Sequence, residues 1–177
     1  MYRLKKEIRM KKVMITLLTL FTFALLLPVA YGATSKVIWI EHEKYRDIDP
    51  SNEGRKHFRE RIFYNLEKHF AKLATKLPEG QVLNIKVTDV DLAGDTHIGG
   101  ISQIRIIKDM YSPRMNFSYE LVNADGSIVT SGEAALKDMN FMMGSALKYR
   151  NQFLGYEKKM LDDWFTEALK KFVAEKK

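Results

Sequence analysis

Asp89, Asp91, Asp95 and His97 form the densest group of ligand-type side chains in the sequence. Asp89 and Asp91 lie two apart in a run of strand character, so their side chains share a face. Asp95 and His97 follow in a glycine-bearing loop that could fold back on them. Three carboxylates and an imidazole suit a divalent cation, and mostly oxygen ligands favour calcium, magnesium or manganese. Such a centre would serve a metal-dependent hydrolase or, without chemistry, a calcium-stabilised structural protein. It is not an EF-hand, because no glutamate closes the acidic run at the twelfth loop position. The plainer role of such acids is to cap turns, bond loop amides and keep a sheet edge from pairing with another chain.

Other titratable groups are dispersed. His57 and His69 lie twelve apart on one predicted helix, which is not an i, i+4 ligand pair, so both are expected at solvated positions. His42 stands between Glu41 and Glu43 after the first predicted strand. It would join the acidic group only if that strand neighbours the one carrying Asp89. Asp162 and Asp163 are adjacent on a helix, where neighbours point about 100° apart, so at most one can face a given site. Beside Leu161 and Trp164 they mark the polar edge of a core helix.

No Gly-x-Ser-x-Gly elbow, His-Glu-x-x-His pair, Walker loop or dinucleotide fingerprint occurs. The absence of cysteine excludes thiol catalysis, thiolate zinc, disulfides and an acylated N-terminal cysteine. No cofactor is implied beyond a divalent metal at the acidic group.

The elements that would position these residues are legible from periodicity. Lys36 to Glu41 is β-branched and aromatic, a first strand. Asp49 or Ser51 can cap a helix, with Pro50 tolerated in its first turn. Phe58, Ile62, Leu66, Phe70, Leu73 and Leu77 then give one apolar helix face, stopped by Pro78-Glu79-Gly80. From Val82 to Leu92 the apolar parity switches between Val87 and Val90, which predicts a bulge near Thr88-Asp89 or a strand buried on both sides.

Gly94 to Gly100 reads as a loop, and Ile101 to Ile107 resumes strand character until Pro113 interrupts. Met115, Phe117, Tyr119 and Leu121 alternate with polar residues, and Asp125-Gly126 turns this strand into Ser127 to Leu136 as a hairpin. Met139, Phe141, Met142 and Met143 suit adaptable partner binding, but irregular core filling is the expectation. Met160, Leu161, Trp164, Phe165, Ala168, Leu169, Phe172 and Val173 make a broad helix face. The expected fold is α+β: a single domain with a mostly antiparallel sheet and two amphipathic helices packed on one face, in the order β-α-β-β-β-β-α.

The N-terminus reads as an export signal. A basic stretch, Arg3 to Lys12, precedes an apolar run from Val13 to Val29, and Ala30-Tyr31-Gly32 supplies small residues two apart. Cleavage is expected between Gly32 and Ala33, leaving 33–177 as the domain. The apolar run falls short of the roughly 20 residues of a spanning helix, and no second run follows, so no transmembrane segment would remain after cleavage.

The net charge of +7 is concentrated in this segment, since residues 1–32 hold six of the 29 basic residues and one of the 22 acidic ones. The remainder carries about +2, which gives no reason to expect nucleic-acid binding. The first predicted helix bears Arg55, Lys56, Arg59, Arg61, Lys68, Lys72 and Lys76, a face that could meet an anionic envelope component or simply be solvated.

Several motifs in order carry a resemblance. They are Trp39, Tyr45-Arg46-Asp47-Ile48, Thr88-Asp89-Val90-Asp91-Leu92-Ala93-Gly94, Leu136-Lys137-Asp138-Met139, Tyr156-Glu157-Lys158 and Leu161-Asp162-Asp163-Trp164-Phe165. Together they resemble the exported bacterial domain-of-unknown-function 3016 family over nearly the whole segment after residue 32. The resemblance implies a periplasmic or secreted protein of a Gram-negative bacterium. It implies no activity, ligand or catalytic residue. The expected function is a non-enzymatic binding module of the cell envelope, with an envelope protein or an anionic envelope component as partner.

Overall fold

The first strand, β1 (Thr34–Trp39), alternates exposed and half-buried residues, and its inward side chains Val37 and Trp39 reach the core. A computed structural model of the chain describes residues 32–48, 54–97, 104–143, 148–149 and 151–173, without the side chains of His97 and Ile104. These residues belong to the unit Gly32–Lys177. The proposed export signal, the proposed cap residues Asp49 and Ser51 with Pro50, and the glycines at 99, 100 and 144 lie outside the described residues.

After a 3-10 turn at His42–Lys44 comes α1 (Arg55–Ala74). Its N-cap is Gly54, with no side-chain capping bond, so the described helix begins later than a cap at Asp49 or Ser51 requires. Phe58, Ile62, Leu66, Phe70 and Leu73 are buried along one face, as their spacing requires. The strands β2 (Val82–Asp91), β3 (Asp95–His97), β4 (Ile104–Ile106), β5 (Arg114–Val122) and β6 (Ile128–Lys137) follow, and α2 (Gly155–Leu169) closes the fold.

The main sheet has the order β1-β2-β5-β6. β1 and β2 are parallel because α1 carries the chain back between them, whereas β2–β5 and β5–β6 are antiparallel. The chain is therefore α+β with a mostly antiparallel sheet, and β3 and β4 form a second small sheet. Asp95 to His97 is thus a short strand and not loop, because Asp95, Thr96 and His97 pair with Ile106, Arg105 and Ile104.

The parity switch in β2 is a bulge: the register with β5 shifts between Val87 and Asp89. The extra residue lets Val87 and Val90 both turn inward. Facing rows such as Val37, Ile85 and Tyr119, or Trp39, Val87 and Phe117, place the inner side chains of the strands on one face. Both helices join the same hydrophobic cluster there. Trp164 of α2 is the cluster's aromatic hub, with Phe117 at 4.8 Å, Tyr119 at 5.2 Å and Phe70 at 6.4 Å between ring centroids. Edge-to-face pairs of this kind add about 0.5–1.5 kcal/mol each beyond burial.

The methionine-rich stretch departs from the expectation of core filling. Phe141 is buried, edge-on to Tyr156 at 4.8 Å, but Met139, Met142 and Met143 are exposed. Of these four side chains only the Phe141 ring packs inward, and the thioethers face solvent.

Candidate functional site

Three of the motifs quoted above, those around Asp47, Asp91 and Glu157, meet at the C-terminal end of β2. Beyond the bulge, Asp89 and Asp91 turn outward, and the loop after β1 lies alongside them through a bridge between Asp47 and Asp91. Arg46 donates its backbone N–H to Asp89 Oδ1 at 3.0 Å and brings its guanidinium to 3.6 Å from Oδ2. Arg114, opposite Asp91 across the β2–β5 ladder, lies 3.8 Å from its carboxylate. Burial, with Asp47 nearby, raises the Asp91 carboxyl above its usual range against the pull of Arg114.

Of the residues proposed as metal ligands, Asp89 and Asp91 each face an arginine, and the side chain of His97 lies outside the described residues. Asp95 and His97 sit in β3, paired with β4. Among the described residues no group of three histidine, cysteine, aspartate or glutamate side chains is placed to hold a metal ion. His42 does not join the acids, although β1 and β2 are neighbours. Its ring lies 3.1 Å from Arg59 and 5.5 Å from the Phe63 ring, against α1.

The same strand end opens onto a pocket of about 300 Å³. Phe58 and Ile62 of α1 supply one wall, Leu92 and Ala93 another, and Ile107 and Phe153 stand at its mouth, each 38% exposed. Among the described residues, two charged ones line it. Arg105 makes a two-pronged bond to Asp47, at 2.7 and 3.0 Å, and donates to the Gly94 carbonyl at 3.0 Å. Glu157 is 3% exposed and accepts the Ala93 N–H at 2.8 Å. Burial raises its carboxyl above the ordinary range.

Local backbone geometry builds the pocket's far wall. Leu154 caps α2 in the left-handed region, at φ 56°, uncommon for a branched side chain. Gly155 then starts the helix with the Tyr149 carbonyl pressed where a Cβ would stand. Only glycine permits that approach, and it fixes the segment bearing Tyr149 against α2.

A polar cluster continues behind this wall, between the helices. His69 Nε2 and Asp162 Oδ1 are 2.9 Å apart, and Tyr149 and Lys148 both donate to Asp162 Oδ2. His69 is 7% exposed, so the expectation of a solvated position is corrected: α2 packs over it. Burial holds its imidazole below the usual 6.5 despite Asp162. Asp162 is itself desolvated, yet the bonds from Tyr149 and Lys148 keep it below the usual carboxylate range. Of the two adjacent acids, only this one turns inward; Asp163 is exposed and pairs with Lys159.

The basic face of α1 is partly drawn in as well. Arg61 lies 4.2 Å from the Phe153 ring centroid and 5.4 Å from that of Phe58, while Lys56 reaches Glu60 at 3.9 Å.

Sequence reasoning singled out neither Arg105 nor Tyr149. Arg105 carried a signal, a charge inside the run Ile104-Arg105-Ile106-Ile107, where an apolar residue would otherwise stand. Tyr149 carried none.

Fold and site together define a small α+β domain with a ligand-sized apolar pocket at one sheet end, floored by charged groups. The family model described as "Protein of unknown function (DUF3016)" matches residues 33–167, and the chain belongs to that family. Neither the curated proteins nor the solved structures yield a match.

Proposed function

We propose that this chain is an exported, non-enzymatic binding module of the cell envelope, and that its pocket takes a small, mainly apolar ligand. The observation that carries the reading is the pocket of about 300 Å³, apolar-walled, with Glu157 and Arg105 as its charged lining. That volume stands at the lower end of the roughly 300–1,000 Å³ typical of ligand sites, and a few fixed polar groups within apolar walls are their usual composition. Export is supported by the signal-like N-terminus and by a family match that starts at residue 33. No helix among the described residues is long and apolar enough to cross a membrane.

The metal-dependent hydrolase and the calcium-stabilised structural protein both need Asp89 and Asp91 free to ligate. Arg46, 3.6 Å from Asp89, and Arg114, 3.8 Å from Asp91, weigh against both readings, since a bound cation would meet two guanidinium charges there.

The test is binding of a neutral apolar dye, N-phenyl-1-naphthylamine, to the purified protein. Its fluorescence should rise saturably at one site per chain. Ile107→Glu, a change at the half-exposed mouth, should abolish the rise while the melting temperature stays within a few degrees. A folded protein that leaves the dye dark, or an Ile107→Glu variant that binds it equally well, would refute the reading.

A further inference from the structure

Glu157 poses an electrostatic problem that the described residues leave open. Its carboxyl is 3% exposed, and the Ala93 N–H at 2.8 Å is a neutral partner. Among the described residues no cation lies within ion-pair distance of it. Arg105 is matched by Asp47 at 2.7 and 3.0 Å, and Lys158 turns its ammonium to the Phe153 carbonyl at 2.8 Å. A buried carboxylate without a counter-charge is costly, and it either takes up a proton or gains a cation.

The walls around it suit the second outcome. Phe58, Tyr149, Phe153 and Tyr156 bring four aromatic rings to one small pocket. Ring faces attract cations through their quadrupole, most strongly where water is excluded. Two of these rings already do so, since the Arg61 guanidinium lies over Phe153 at 4.2 Å and over Phe58 at 5.4 Å.

Resting on the binding reading above, we infer that the pocket's ligand is a small organic ammonium ion, its charged nitrogen directed to Glu157 and its carbon body held by the aromatic and aliphatic walls. An organic anion is disfavoured, because Arg105 would have to leave Asp47 and the Gly94 carbonyl to receive it. A neutral ligand can fill the apolar walls but leaves Glu157 without a counter-charge.

Size bounds the class. At about 30 Å³ per water, the pocket holds the equivalent of roughly ten waters, enough for a short alkyl or aryl amine and too little for a lipid. Burial raises the Glu157 carboxyl above its ordinary range, and an ammonium beside it would act against that shift. The groups facing that carboxyl are Arg105 from β4, Lys158 from α2 and, through Arg105, Asp47, and the first two favour its ionised form.

The experiment is calorimetric titration of the purified protein with a matched set of probes: hexylammonium, hexyltrimethylammonium, 1-hexanol and hexanoate. The two ammonium ions should bind at least about tenfold more tightly than the alcohol, as a desolvated charge pair with cation–π support would give, and hexanoate most weakly. Glu157→Gln should bring the ammonium ions down to the alcohol's level. Should that variant unfold, Phe153→Leu, which keeps the mouth apolar but removes a ring face, should lower the trimethylammonium affinity more than that of the alcohol. Equal binding of alcohol and ammonium, or tightest binding of hexanoate, would overturn the ammonium assignment while leaving the pocket a binding site. No binding of any probe would overturn both.

Discussion

At the scale of single residues, the buried charges decide how the protein answers pH. His69 is held neutral by burial, with its imidazole below 6.5 in the fold, so the unfolded chain binds more protons as pH falls through that range. Its contribution is therefore present above about 6.5 and is lost as pH falls toward the folded value. Asp162, also lowered, acts in the same direction further down, below the ordinary carboxylate value. Glu157 and Asp91 are raised and act oppositely: they favour the fold when protonated and lose that contribution as pH climbs. His69→Gln keeps an amide that can donate to Asp162 and deletes only the titration. In urea midpoints measured from pH 7.5 to 5.5, the wild type should lose stability relative to His69→Gln as pH falls. Parallel curves for the two proteins would show that the His69–Asp162 pair does not set the acid limb. At pH 7.5, His69→Ala should cost about 1–3 kcal/mol, because it leaves Asp162 desolvated with one partner fewer. None of this was legible from composition. A histidine on a helix reads as solvated until the element that covers it is known, and α2 lies 93 positions along the chain from His69 at their shared hydrogen bond.

At the scale of elements, the join between the pocket wall and α2 is where one atom matters most. Gly155 has the Tyr149 carbonyl pressed against the space a Cβ would take, and that carbonyl belongs to the backbone, so it cannot rotate away. Gly155→Ala should therefore cost about 1–3 kcal/mol, the range for overpacking, and should also weaken dye binding, because the wall carrying Tyr149 and Phe153 shifts with it. Thermal melting and the naphthylamine titration check the two effects on one sample. A variant that melts as the wild type would mean that the segment relaxes freely and the wall is not fixed by this contact. The elements themselves were largely readable. Periodicity found α1, α2, the alternation of β5, the Asp125-Gly126 hairpin and the bulge in β2, since each is written in local spacing. It missed β3, a three-residue strand whose pairing with β4 is not local, and it placed the methionines inward because hydrophobicity alone cannot see that only Phe141 has a ring to pack on. The pocket was illegible for the same reason: its walls come from α1, the end of β2, β4 and the start of α2, and no short window of sequence contains them.

At the scale of the whole molecule, the asymmetry of charge and hydropathy separates the first 32 residues from the rest. β1 begins just past residue 32, at Thr34. Ala33 is 4% exposed and joins the core cluster, and the Thr34 N–H donates to the Gln81 carbonyl at 3.0 Å, the first rung beside β2. Cleavage between Gly32 and Ala33 would leave every one of these contacts intact, whereas cleavage even two residues later would remove the buried Ala33 and that first rung. The export proposal therefore predicts a single mature species in the envelope fraction whose N-terminal sequence reads Ala33-Thr34-Ser35. Intact-mass and N-terminal sequencing of the chain from fractionated cells measure it directly. Gly32→Trp, which places a bulky residue at the small-residue site, should slow processing and hold the longer chain at the membrane. A full-length chain recovered from the cytoplasm would refute export. It would also restore the six basic residues of the leader to the working protein, whose net charge would then be the full +7, and the electrostatic reading of its surface would have to begin again from that value.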